Sequence, residues 1–105
     1  MVTTSRPPSR LVERVQTGVR MEKRLLKVLK ALAELHDLSL GDLLEGICLH
    51  AFDGKLPFGA EGRRRIAELR KIYGLDLDAS DSHRLVERPA ATSAGPSRRG
   101  KPRRR

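Results

Sequence analysis

The chain has 105 residues, with 22 Lys and Arg against 13 Asp and Glu, so its formal net charge is +9. This length suits one small domain with tails, and 38% hydrophobic residues cannot build a large enzyme core around a deep pocket. No apolar run reaches the roughly 18 residues of a membrane span. The single cysteine, Cys48, excludes an intramolecular disulfide and favours a reducing, cytoplasmic compartment. The composition therefore predicts a small basic protein whose default partner is a polyanion.

The positive charge lies on the flanks of the most apolar stretch. Residues 25–62 hold three basic and six acidic residues, whereas residues 1–24 hold six basic and two acidic. Residues 89–105 add six basic residues and have no apolar side chain larger than Ala. Such a composition cannot offset the entropy of ordering, so we expect a flexible basic arm at 1–14 and a disordered basic tail at 89–105. Contact with a polyanion is then expected on the flanks rather than on the core helices.

The first ordered element is predicted to be a short strand. In V-Q-T-G-V-R-M, residues 15–21, Gln16, Gly18 and Arg20 alternate with the other side chains, which is the period of a half-buried strand. The chain offers no second strand nearby, so the backbone of this one would have to pair with another chain.

Three helices are predicted to follow. Leucines and valines recur at three- and four-residue intervals from Glu22, and this helix should end near His36. Ser39 opens a second helix, because it stands three residues before an acidic residue and ahead of a long apolar stripe, and Gly54 is a plausible stop. A third helix is expected at about 60–73, as a basic solvated face, a DNA-backbone clamp or an element that reinforces a dimer.

The order of strand, helix, tight turn and helix is accompanied by a resemblance in sequence. The runs Q-T-G-V-R-M, residues 16–21, and A-E-L-H-D-L-S-L-G-D-L-L-E-G-I-C-L-H-A-F, residues 33–52, resemble the ribbon-helix-helix (Arc/MetJ/CopG-like) DNA-binding proteins. The resemblance covers residues 15–54 and implies a mainly α ribbon-helix-helix domain. It also implies an obligate dimer whose two strands form an intermolecular antiparallel β-ribbon. Residues 55–88 form a C-terminal extension that the resemblance does not cover.

The resemblance also implies which residues touch DNA. The outward strand residues Gln16, Gly18 and Arg20 would read bases in the major groove, although Gly18 departs from the polar side chain that family members commonly carry there. Gln can bond the edge of adenine and Arg the edge of guanine, each worth about 1–3 kcal/mol of discrimination. The alternative is that Gln16 and Arg20 are simply the solvated face of the strand.

Two further sets of residues follow from the same comparison and from the flanking charge. Ser39 maps to a helix N-terminus that could hold a phosphate, but plain helix capping explains it as well, and Asp42 would repel an anion. The candidate phosphate contacts are Arg10, Arg14, Lys23, Arg24, Ser39 and Leu40. The candidate dimer core is Val19, Met21, Leu25, Leu29, Leu32, Leu43, Leu44, Ile47 and Ala51.

The sequence predicts no cluster of catalytic or metal-binding residues. Cys48 and His50 lie on different sides of a helix, which does not suit zinc. Residues 76–87 match a calcium loop only in part, because Asp81 stands where the loop needs glycine and Arg84 occupies a ligand position. We therefore predict no catalytic residues, no metal and no cofactor, and hence no enzyme.

These observations predict a sequence-specific DNA-binding transcriptional regulator that is cytoplasmic, nucleoid-associated and homodimeric, and that inserts a β-ribbon into the major groove. Two alternatives stay open. The protein could be an antitoxin of a toxin–antitoxin pair, with residues 55–88 binding the toxin. It could also be a nonspecific nucleoid or RNA-binding protein that uses chiefly its basic tail.

Overall fold

The computed structural model describes residues 9–89, so all but the first residue of the predicted tail at 89–105 and much of the arm at 1–14 lie outside the described residues. Within that range the chain forms α1 (Lys23–Leu35), α2 (Leu40–Phe52) and α3 (Ala60–Tyr73), followed by a 3-10 turn at Ala79–Asp81. The three predicted helices are therefore present. None of these helices is long and apolar enough to cross a membrane.

The predicted strand at 15–21 is wrong. Residues 9–22 are extended coil, and no strand occurs anywhere in residues 9–89. The ribbon-helix-helix fold class is therefore corrected to a three-helix arrangement, and the antiparallel β-ribbon proposed as a dimer interface is withdrawn with it. Alternation of side chains specifies which residues share a face, but a strand also needs a neighbour for its N–H and C=O groups. No other segment of the described chain forms a ladder with residues 15–21.

The turns that end the helices follow the sequence closely. After α1, Asp37 adopts a left-handed φ of 57°, and Leu38 N–H donates to the Ala33 carbonyl at 2.9 Å. After α3, Gly74 takes the same conformation with a φ of 66°. Both turns satisfy carbonyl groups that the last helical turn leaves open, and both reverse the chain direction within two residues. The first turn leads into α2, and the second leads into the buried Leu75.

α1 is the centre of the small core, with α2 on one side and α3 on another. The segment that follows α3 also takes part, because Leu75 is buried against the same cluster. The buried residues are Val28, Leu29, Leu32, Ala33, Leu43 and Leu75. Since four of these six lie on α1, this helix supplies most of the apolar surface that holds the chain together. The C-terminal extension is thus built into the folded body.

The residues expected in a dimer core divide into three groups in the single chain. Leu29, Leu32 and Leu43 are buried inside the chain itself. Met21, Leu44 and Ile47 are half-buried and pack on that core, whereas Val19, Leu25 and Ala51 are exposed.

Candidate nucleic-acid interface

An extended segment, residues 9–21, leads into α1 and carries the predicted base-reading residues. Residues 9–20 are all exposed, and Gln16 and Arg20 therefore present their side chains to solvent rather than to the core. A Cβ placed on Gly18 would meet nothing within 4 Å. Packing within the described chain therefore does not require a glycine there.

Arg20 is bound to a carboxylate from the far end of the described chain. Its guanidinium donates from Nε to Glu87 Oε1 at 3.1 Å and from Nη2 to Glu87 Oε2. The hydrogen bonds and the opposite charge raise the pKa of Arg20 and lower the pKa of the Glu87 carboxyl. The pair remains open to water, since the two side chains are 83% and 61% exposed. The donors that would read a guanine are therefore engaged, but accessible.

Arg14 repeats this arrangement on the same segment. Its Nε donates to Glu45 Oε2 at 2.8 Å and its Nη2 donates to Glu45 Oε1 at 2.7 Å. Glu45 lies on α2, and its hydrogen bonds from Arg14 hold the pKa of its carboxyl below the ordinary value. The extended segment is thus attached to the helical body through side chains, not through backbone hydrogen bonds.

Arg24, another predicted phosphate contact, instead joins the start of α1 to the end of α3. Its Nε lies 3.0 Å from a Glu22 carboxylate oxygen, and its Nη1 donates to the Gly74 carbonyl at 2.8 Å. The same Nη1 lies 3.1 Å from Asp76. With these partners, Arg24 links the C-terminal extension to α1, and its Nε and Nη1 are occupied within the chain.

A stripe of lysines on α1, in contrast to these arginines, has no carboxylate partners in the described chain. Lys23, Lys27 and Lys30 are exposed and follow one another at intervals of four and three residues, which places them on one side of the helix. None of the three forms an ion pair with a carboxylate of residues 9–89. This lysine stripe covers about 10 Å of helix, the rise of about three base pairs of a duplex. Among the described cations it is the most regular unpaired array.

Sequence reasoning named Lys23 and missed Lys27 and Lys30. Their spacing on the polar side of α1 is the signal that identifies them, and the net charge of a whole segment does not show it. Lys27 also lies over the ring of Tyr73, with its Nζ 6.0 Å from the ring centroid, so α3 holds part of the stripe in place.

Two of the four arginines of α3, Arg64 and Arg65, are neutralised within their own helix. Glu61 accepts from Arg64 at 2.6 Å and from Arg65 at 3.1 Å, and Arg64 also pairs with Glu68 at 3.3 Å. The basic run in the sequence therefore gives a less positive surface than its composition suggests.

The N-terminus of α2 is a capped helix start. Ser39 Oγ accepts from the Asp42 N–H at 3.1 Å, and Asp42 adds negative charge to the first turn. Leu40 is half-buried against the core, and Arg10 lies exposed near the beginning of the described chain. The capping bond supports the local explanation of Ser39 that the sequence left open.

α2 exposes an apolar surface on the side away from α1. Eight of its thirteen residues are apolar, yet Leu43 is its one buried residue in the described chain. Leu49 is 63% exposed and Phe52 is 82% exposed, and they lie three residues apart on one side of the helix. We call Leu49 and Phe52 the outer face of α2. A helix that is apolar on several sides is normally covered by other elements, and nothing in residues 9–89 covers this face.

Comparison with protein-family models, with curated proteins and with solved structures finds no match for this chain. The function is therefore inferred from the geometry and charge of its own residues.

Proposed function

We propose that the protein binds double-stranded DNA as a homodimer and acts as a sequence-specific transcriptional regulator. The observation that carries this proposal is the continuity of an exposed extended segment, residues 9–21, with the unpaired lysine stripe of α1. Lysines near phosphates supply affinity and position a protein on a duplex, whereas side chains that reach base edges supply specificity. The chain carries both kinds of group next to each other.

Specificity would come from Gln16 and Arg20. An extended segment is narrow enough to enter a groove, and Arg presents two parallel donors to the edge of guanine while Gln presents one donor and one acceptor to adenine. Gly18, between them, allows close approach of the backbone to the DNA. These contacts are made by an extended segment and need no strand ladder.

The homodimer is supported by the outer face of α2. Residues 1–8 contain only Met1 and Val2 as larger apolar residues and residues 89–105 contain none, so neither stretch offers an apolar segment to cover this face. A second copy brings the same apolar face, so that one contact covers both. A domain with so few buried residues also gains more from such burial than a large one would.

The fold favours this function over binding of a toxin by residues 55–88. α3 packs on α1, and Leu75 is part of the shared core, so much of this extension is already engaged within its own chain. A segment that folds on a partner would instead be free of such contacts. Association with the nucleoid follows as the expected location of a DNA-bound regulator.

A salt titration tests DNA binding at the lysine stripe. Fluorescence anisotropy on a random-sequence duplex compares the wild type with Lys23→Gln/Lys27→Gln/Lys30→Gln. Each phosphate contact contributes about −0.9 to the slope of log K against log salt, so the triple variant should lose about 2.7 of that slope. The matched control, Lys55→Gln/Arg63→Gln/Lys71→Gln, removes the same charge at exposed positions that form no ion pair with residues 9–89.

The control variant should keep most of the wild-type slope. Equal losses in the two variants would show that only net charge matters. Absence of salt-dependent binding by the wild type would overturn the proposed function.

A further inference from the structure

We infer that Glu87 and Glu45 act as intramolecular competitors of DNA, each holding an arginine of the extended segment that the duplex must take over. This inference rests on the proposed function and adds a control of affinity to it. Arg20 and Glu87 are 67 residues apart in the chain, and Arg14 and Glu45 are 31 apart, so neither pair is a by-product of local sequence.

The two contacts occupy one forked edge of each guanidinium, which is an edge that DNA recognition can use. In each pair Nε and Nη2 of one guanidinium donate to the two oxygens of one carboxylate. The same forked edge binds two oxygens of a phosphate, or O6 and N7 of guanine. One edge cannot serve both partners, so the carboxylate has to leave when the duplex binds there.

The two carboxylates come from different parts of the fold. Glu45 lies on α2, which is anchored through the buried Leu43, whereas Glu87 lies in the exposed stretch that follows the 3-10 turn at Ala79–Asp81. Residues 89–105, next to Glu87, carry six basic residues and no acidic one. Binding of this basic tail to the same duplex would draw Glu87 towards a polyanion that repels it, which would favour release of Arg20.

The strength of the competition follows from exposure. Exposed ion pairs are weak, so removal of one carboxylate should tighten DNA binding by about two- to fivefold rather than by orders of magnitude. Competition by the two carboxylates therefore adjusts the affinity for DNA by a small factor.

The experiment measures DNA affinity of Glu87→Gln, with Glu61→Gln as a matched control. Glu61 is also exposed and also pairs with arginines, but on α3, so both substitutions remove one negative charge. We expect Glu87→Gln to bind a random-sequence duplex about two- to fivefold more tightly than Glu61→Gln. In an Arg20→Gln background the extra gain should disappear, because no guanidinium remains to be released. Equal affinities of Glu87→Gln and Glu61→Gln would overturn the inference.

A measurement without DNA separates this inference from the proposed function. The Nε–Hε resonance of Arg20 in the free protein should shift in Glu87→Gln and stay in place in Glu61→Gln. If it does not shift, the competitor is absent even when DNA binds. If it shifts as expected but the wild type binds no duplex, the ion pair is real and the proposed function fails.

Discussion

At the start of α1, the carboxylate of Glu22 accepts a hydrogen bond from the Leu25 N–H at 2.8 Å and pairs with Arg24 at 3.0 Å. Partial burial opposes ionisation of this carboxyl, but the Leu25 N–H and Arg24 together outweigh it and lower the pKa of Glu22. Glu is not among the preferred N-cap residues, so the sequence pattern does not reveal this cap. Ser39, in contrast, is a preferred N-cap, and its capping bond to Asp42 was predictable from spacing alone.

The Glu22 cap gives a pH-dependent prediction. Because the pKa is lower in the folded than in the unfolded chain, the stabilisation is present above the ordinary carboxyl pKa and is lost as the pH falls through the folded value. Glu22→Ala should lower the free energy of unfolding by about 1 kcal/mol at neutral pH. In acid the two proteins should converge. Urea titrations across this pH range measure both effects, and a constant difference at every pH would contradict them.

At the scale of elements, the helices were predictable and the strand was not. The spacing of apolar residues determines which side of a helix is buried, and Asp37 and Gly74 mark where α1 and α3 end, since all of this information is local. A strand depends on a partner whose position no local pattern records. The ion pairs of the candidate site could not be predicted for the same reason, because Arg20 and Glu87 lie 67 residues apart in the sequence and come together only in the folded chain.

The central position of α1 predicts a strong contrast between two of its leucines. Leu32 is 2% exposed, whereas Leu35, on the same helix, is 49% exposed. Leu32→Ala should cost about 2–5 kcal/mol of unfolding free energy, because it leaves a cavity at the contact of the helices. Leu35→Ala should stay within about 0.5 kcal/mol of the wild type. Chemical denaturation of both variants tests this contrast, and similar costs would show that α1 is not the centre of the core.

At the scale of the whole molecule, the described cations divide into those that the fold pairs with carboxylates and those that it leaves without an ion pair. The sequence predicted that positive charge would lie on the flanks, at 1–24 on the N-terminal side, rather than on the core helices. The described part of that flank carries three carboxylate-bound arginines, Arg14, Arg20 and Arg24. Lys27 and Lys30 of the lysine stripe instead lie on α1, which is a core helix. The sequence could not predict which cations would be neutralised by carboxylates. Arg24, Arg64 and Arg65 find carboxylates within the fold, while Lys23, Lys27 and Lys30 find none among residues 9–89.

The outer face of α2 predicts a concentration-dependent dimer. Phe52→Ser should raise the dissociation constant of the dimer about tenfold or more, because truncation of a buried interface aromatic commonly costs above 1 kcal/mol. Ile72→Ser is the matched control, since Ile72 is 70% exposed on α3, away from α2. Sedimentation equilibrium should show the control dimerising like the wild type. A wild type that stays monomeric at every concentration would contradict the homodimer.

The central claim is that this chain reads a DNA sequence, and selection of binding sites from random-sequence duplex DNA tests it most directly. The wild type should enrich a motif with two half-sites related by two-fold symmetry, because a homodimer presents two copies of the same contacts. Arg20→Ala should lose preference at one guanine in each half-site while still binding duplex DNA. Enrichment of no sequence by the wild type, or of the same motif by Arg20→Ala, would contradict the account.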